Sequence, residues 1–327
     1  MNSREIVLAN INRDSPPRCG LDFDRGRISD IEVATLTPRN YRQKRWLEGA
    51  IEYYDDEWGN TWHRMKDGSF KGEIIRPFLQ DWSALPRLHP PDYSHPDCVL
   101  LAREPFSQSA DKFRLVYLGG WVFNDARYLR NMAAYFMDMV EHQGELLELH
   151  DKIARVYEQK IHLAAQSGAD GIFVVEDLGT QTGLLFSPQM FRFYFKERYA
   201  RLFDLAHSYN LKVFFHSCGK NWAILPDLLD IGVNVFQFDQ PLIYDLPALA
   251  DLLRQRNAAL WSPLDIQVVL PKGNRDLIRD NVARMYNLFK GGLIFKNYLD
   301  LAGIGVREEW DDWAYQAVLE KIILEAA

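Results

Sequence analysis

The stretch DGIFVVEDLGTQTGLLFSPQMFRFYFKERYARLFDLAHSYNLKVFFHSCG, residues 170–219, decides how the chain is read. It opens on a short apolar run, DGIFVV (170–175), breaks at a polar turn, and continues as a long segment with helical spacing, SPQMFRFYFKERYARLFDLAHSYN (187–210). A second apolar run, KVFFHS (212–217), closes it. Runs of this kind are short, continuous and rich in Val, Ile or Phe, as strands buried on both faces should be, and the helix between them makes the pair parallel.

The same rhythm extends in both directions. Upstream lies FRLVYLGG (113–120); downstream come NVFQF (234–238), AALWSP (258–263) and GLIFKN (292–297). Helical candidates separate them: 146–168, 246–257 and 275–292. Gly168, Asn210 and Gly291 stand where helix C-terminal stops belong. The first 90 or so residues differ, with turn-like pieces at DSPPRCG, DEWGN, KDGS and LHPPDYSHPD and only short candidate strands. No dinucleotide-binding GxGxxG follows any run, so the six runs, with one or two strands from the N-terminal part, predict an α/β chain closed as a (β/α)8 TIM-type barrel. The expected organisation is one domain over 1–327, with an elaborated N-terminal segment to about residue 90 and the barrel body from about 91.

Composition narrows the function classes. The chain is 47% hydrophobic and 25% charged, with a net charge of -7 and dispersed Lys and Arg, so no nucleic-acid footprint appears. No apolar stretch of about 18 residues and no secretory pattern at the start are present, and the expectation is a cytoplasmic protein with no membrane partner. Cys19, Cys98 and Cys218 make an odd count that argues against a disulfide framework and leaves thiols for metal or redox work.

In a barrel of this kind chemistry sits where the strands end. The residues closing the apolar runs are Glu176 and Asp177, His216 and Cys218, Asp239, Asp265 with Gln267, and Asn297. Carboxylate, imidazole, thiol and amide are costly beside a core unless paired, so their recurrence at strand ends points to a shared pocket. His216 and Cys218, at i and i+2 on a strand end, share a side and together suit a borderline-soft ion such as zinc; a catalytic zinc needs a third ligand from elsewhere. Glu176 and Asp177 are adjacent and point opposite ways, so one faces the pocket while the other is free to cap a helix or form an ion pair. Glu176, Asp177, Asp239 and Asp265 are the catalytic candidates, although either of the last two would also serve as a loop cap. Trp58, Trp121, Gln181, Gln267 and Asn297 are the candidate substrate contacts. The remaining histidines show no metal-like arrangement with one another and read as surface or structural residues.

Residues 168–241, with the acidic pair after a strand, the SP helix start, the HSCG strand end and the GVNVFQFDQ strand, resemble the central part of uroporphyrinogen decarboxylase-like proteins. The likeness continues through WSPLDIQVVLPKG (261–273), takes in DEWGNTWHRMKDGSF (56–70) and covers roughly residues 45 to 322. That superfamily also holds the corrinoid-dependent methyltransferases. The arginine-rich RQAGR motif of the true decarboxylases has no counterpart around PPRCGLDFDRGR (16–27), which turns the resemblance towards the methyltransferase branch. There an H-x-C pair, matched by His216 and Cys218, holds zinc. The branch usually adds a second cysteine near the last strand, where this chain has Lys296, Asn297 and Asp300 instead, so an oxygen ligand from Glu176, Asp239 or Asp265 is expected in its place. The resemblance implies an enzyme moving a methyl group between a small donor or acceptor and methylcobalamin, or another corrinoid, carried by a partner protein. The alternatives are a metal-free decarboxylase or lyase on the same barrel and a non-catalytic protein that binds a corrinoid or small ligand.

Overall fold

The computed structural model describes residues 1–67 and 72–326. Eight strands form one parallel sheet curled into a barrel: β1 (Gly20–Asp22), β2 (Ile31–Thr35), and, after the four strands β3 (Arg45–Glu48), β4 (Ile51–Asp55), β5 (Thr61–Met65) and β6 (Glu73–Arg76) of a separate antiparallel sheet, β7 (Phe113–Tyr117), β8 (Gly171–Val175), β9 (Lys212–His216), β10 (Val235–Gln237), β11 (Ala259–Ser262) and β12 (Leu293–Lys296). Its order is β1-β12-β11-β10-β9-β8-β7-β2. β7 to β12 are the six runs of the sequence reading, and β1 and β2 are the two strands that the N-terminal part contributes. The antiparallel sheet is inserted between β2 and β7. Of the KDGS turn, Lys66 and Asp67 fall among the described residues and the rest lies outside them.

Two apolar layers hold the barrel together. The outer one is set by residues such as Ile172, Val174, Phe215, Phe236, Leu260, Leu293 and Phe295, which face the helices. The inner one contains Phe113, Leu115, Phe214, Val235, Ala259, Trp261 and Ile294, with Phe173 packed against them. Val7 and Ile11 of the helix Ser3–Asn12 belong to the same inner cluster. That helix therefore stoppers one end of the barrel, and Arg4 anchors it to Asp170, which precedes β8, at 2.8 Å. With the strand N-terminal ends plugged, the C-terminal ends form the open mouth.

The helix stops fall where the sequence placed them: Gly168, Asn210 and Gly291 take φ of 81°, 59° and 79°, the left-handed conformation that ends a helix. The segment after β8 is not one uniform α-helix. A π-helical turn, Arg192–Lys196, separates Pro188–Phe191 from Glu197–Ser208. Among the described residues no helix is long and apolar enough to cross a membrane.

Candidate active site and metal centre

Strand alternation sends Glu176 and Asp177 to opposite faces. Glu176, 0% exposed, turns outwards into the helix layer. Its two oxygens accept the backbone N–H of Phe123 and of Asn124, each at 2.8 Å, in the first turn of the helix Val122–Arg130, and also the Tyr199 hydroxyl. A carboxylate at a helix N-terminus satisfies donors that the helix leaves orphaned. Burial pushes the Glu176 carboxyl up to about 8 against these donors, which favour its charged form. This anchoring reaches the mouth indirectly: Asn124 Oδ1 accepts the Asp177 N–H at 3.4 Å and the Arg127 Nε–H at 2.8 Å, while Arg127 lies 3.5 Å from the Asp177 carboxylate. Replacing Glu176 with Ala leaves the Phe123 and Asn124 N–H groups and the Tyr199 hydroxyl buried without their acceptor. A loss of about 2 to 3 kcal/mol is expected in denaturant unfolding.

Asp177 turns inwards to the mouth. Its Oδ1 lies 3.5 Å from His216 Nε2 and accepts the Cys218 backbone N–H at 3.3 Å. Cys218 Sγ stands 3.3 Å from the same Nε2. One carboxylate oxygen, one imidazole nitrogen and one thiol thus lie within 4.8 Å of one another. Two glycines bring the loops that carry them together. Gly219 has φ of 81°, and a Cβ there would lie 2.2 Å from the carbonyl carbon of Gly179. Only bare backbone permits this approach, which the hydrogen bonds from Gly179 N–H to the Cys218 carbonyl (3.2 Å) and from Lys220 N–H to the Thr180 carbonyl (2.7 Å) secure. Asn221, fully buried, ties the turn down by donating to Ser217 Oγ and the Gly219 carbonyl, each at 2.9 Å.

His216 is aimed from behind. Val175, His216 and Gln237 are register partners across β8, β9 and β10. The Gln237 amide donates to Asp239 Oδ1 at 2.7 Å, which points its oxygen at His216 Nδ1, and the two form a hydrogen bond. Nδ1 therefore carries a proton and Nε2 is the nitrogen presented to Asp177 and Cys218. Burial disfavours an imidazolium here, yet Asp177, Cys218 and Asp239 outweigh it and raise the His216 pKa well above its ordinary value. In return, although burial opposes its charge, Asp177 is held well below the usual carboxylate range by the hydrogen bond and charge of His216.

The donor types suit a zinc ion, which would displace the proton of His216 Nε2: one cysteine sulfur, one imidazole with its second nitrogen hydrogen-bonded and one ionised carboxylate, on the side of the mouth. The carboxylate grouped with His216 and Cys218 is not one of the three that the resemblance suggested. Glu176 faces away. Asp265 is spent on the loop that follows β11, its Oδ1 accepting the N–H of Gln267 and Val268 and its Oδ2 that of Leu242. Asp239 accepts from the Gln237 amide and lies 4.0 Å from His216 Nδ1, the nitrogen on the side of the ring away from Cys218. Asp177, expected as a catalytic acid or base, is the carboxylate that lies with His216 and Cys218.

The expected substrate contacts scatter. Trp58 and Trp121 are core residues, Trp121 stacking on Phe203 with ring centres 5.6 Å apart. Gln181 sits at the rim, donating to Gln240 at 3.2 Å, and Gln267 is exposed on its loop. Asn297 is buried and accepts the Asp24 N–H at 3.1 Å. Sequence reasoning missed Gln237 and Arg127; the position of Gln237, two residues before Asp239 in an apolar strand, was the signal available.

The uroporphyrinogen decarboxylase (URO-D) family profile matches residues 116–297, more than half of the chain. The chain belongs to that family. Among solved structures, a methyltransferase from Methanosarcina mazei is similar over 81% of this chain and 76% of its own, with 16% identity and a TM-score of 0.62, a likeness of fold. A D-psicose 3-epimerase from Clostridium cellulolyticum H10 is similar over 75% of this chain and 87% of its own, at 10% identity and a TM-score of 0.43, too distant to bear on function. No curated protein matches the sequence. The URO-D match spans β8, β9 and β10, and so includes Asp177, His216, Cys218 and Gln237.

Proposed function

We propose that this protein is a methyltransferase that moves a methyl group between a small substrate and a corrinoid carried by a separate protein. The observation that carries this reading is the Asp177–His216–Cys218 triangle at the barrel mouth, three mutually adjacent metal-type donors of which Asp177 and Cys218 are partly exposed. Zinc held there would act as a Lewis acid, lowering the pKa of a bound thiol. The chain's own residues supply the rest. Gln237 and Asp239 keep His216 Nε2 turned to the ligand position, the Asn221 turn keeps Cys218 in place, and Arg127 steadies Asp177. The half-buried rings of Tyr117 and Phe173, with centres 5.5 Å apart, offer the substrate an apolar surface. With a thiol as acceptor, the S–H proton would leave to solvent and the sulfur would take the methyl group. The corrinoid of the partner protein would keep the bonding electron pair. The absence of an RQAGR string also favours this branch over porphyrinogen decarboxylation.

The test has two parts. Protein purified without chelators is expected to hold about one zinc per chain, the ligand count of a single catalytic site. With methylcobalamin and a panel of small thiols, the loaded protein is expected to accelerate loss of the methylcobalamin absorbance and formation of the thioether. Zinc-loaded protein that leaves methylcobalamin and every thiol unchanged would overturn the proposal.

A further inference from the structure

The inserted sheet runs in the order β3-β4-β5-β6, so β3 is one of its edges, and residues 42–50 are exposed throughout. Backbone direction alternates along an antiparallel strand. The Asp55 N–H donates to the Lys44 carbonyl at 3.2 Å, so the backbone groups of Lys44, Trp46 and Glu48 point at β4 and those of Arg45 and Leu47 point out of the sheet. Among the described residues nothing takes these outward N–H and C=O groups. An open edge of this kind accepts a further strand unless its side chains forbid it.

The side chains sort into two faces. Arg45 and Leu47 share the face of Tyr54 and Trp62, and Trp62 packs against Tyr128 of the barrel with ring centres 5.0 Å apart. Lys44, Trp46 and Glu48 lie on the opposite, outer face, where Trp46 stacks on Tyr53 at 5.5 Å and Tyr53 meets His63 at 6.1 Å. Trp46 and Leu47 are 40% and 53% exposed. Among the described residues the Lys44 ammonium makes no ion pair, and Glu48 accepts only the Trp46 indole N–H, at 3.1 Å.

We propose that this edge is an interface with a second copy of the chain, β3 pairing antiparallel with β3 of that copy about a two-fold axis at Trp46. The charge pattern selects both the occupant and the register. Two such edges related by a two-fold axis meet centred on Arg45, on Trp46 or on Leu47. The first sets Arg45 against itself, and the last leaves Glu48 opposite Trp46. Centring on Trp46 places Lys44 of each copy opposite Glu48 of the other, on the same face. It also opposes Arg45 to Leu47, so that the outward-pointing residues of both copies exchange their backbone hydrogen bonds. The two Trp46 rings then meet at a non-hydrogen-bonded position, where side chains approach closest. The aromatic row of His63, Tyr53 and Trp46 runs unbroken across the axis. The contact is small, and the dimer is one that dissociates on dilution.

This pairing is independent of the reaction at the barrel mouth, and sedimentation velocity over a dilution series tests it on the full chain. The unaltered protein is expected to show a reversible monomer–dimer equilibrium. Lys44→Glu and Glu48→Lys each set two like-charged pairs across the axis and are expected to weaken the dimer by about tenfold or more, whereas Lys44→Glu combined with Glu48→Lys restores it. Circular dichroism shows that each variant is folded. Trp46→Cys is expected to give a disulfide-linked dimer under mild oxidation, with peptide mapping to separate this link from one through Cys218. Lys44→Cys is expected to give none, since the two copies of that position stand about 13 Å apart in this register. A chain that stays monomeric at every concentration, a dimer that the single charge reversals leave intact, or reversals that the double exchange fails to repair each overturns the assignment.

Discussion

Phe214→Ala is expected to destabilise the protein by roughly 3 to 5 kcal/mol, whereas His216→Ala, two residues further along the same strand, is expected to cost about 1 to 2 kcal/mol while removing most turnover. Phe214 is fully buried in the inner barrel cluster, with ring centres 5.5 Å from both Phe113 and Trp261, so truncation opens a cavity in a layer where neighbours from separate strands interlock and cannot collapse. His216 sits one layer higher, where the barrel opens. Its loss strands Gln237 and Asp177, but the Asp177 side chain is 35% exposed and water can take the place of the imidazole. Denaturant unfolding of both variants, paired with the methyl-transfer assay, checks the separation. If His216→Ala unfolds as readily as Phe214→Ala, the histidine is a structural residue and the site loses its centre.

Not every part of this arrangement was equally legible. β7 to β12 could be read because burial on both faces leaves an uninterrupted apolar run. The same property hid which way their ends point. With Phe173 packed inside and Ile172 and Val174 outside, both parities of β8 are apolar, so nothing in DGIFVVED says that Asp177 rather than Glu176 enters the mouth. β1 and β2 are short and mix charge into their pattern, GLD and IEVAT, which is why the N-terminal part reads as an extension although it supplies both edges of the barrel sheet. The β3–β6 sheet keeps so little buried surface that RWLE and EIIR carry almost no core signal. Trp58 and Trp121 illustrate a further limit: a large aromatic residue after a turn looks the same in sequence whether it lines a pocket or fills a core. The Gln237–Asp239 support of His216 depends on pairing between strands about 20 residues apart and becomes visible only in the folded barrel.

Removing a donor from the Asp177–His216–Cys218 triangle is expected to affect metal binding more than any other change. Cys218→Ser exchanges a thiolate for a hydroxyl, a far poorer zinc ligand at neutral pH, and is expected to lower zinc affinity by more than about 100-fold, beyond the 10- to 100-fold typical of changes to groups that only support a ligand. Asp177→Asn removes the anionic oxygen and is expected to approach the same loss. Gln237→Leu leaves all three donors but frees the imidazole to turn, so it falls in the 10- to 100-fold range. Asp265→Asn keeps zinc, because that carboxylate is bonded to backbone N–H groups of its own loop and of Leu242. Competition against a chelator of known affinity measures all four on one scale, and circular dichroism shows which variants are folded. The ranking separates the ligands from their neighbours. If Asp177→Asn binds zinc as tightly as the unaltered protein while Cys218→Ser loses it, the oxygen donor is not Asp177. The carboxylate 3.5 Å from His216 then serves to orient and charge the imidazole, and the third ligand must come from the substrate itself.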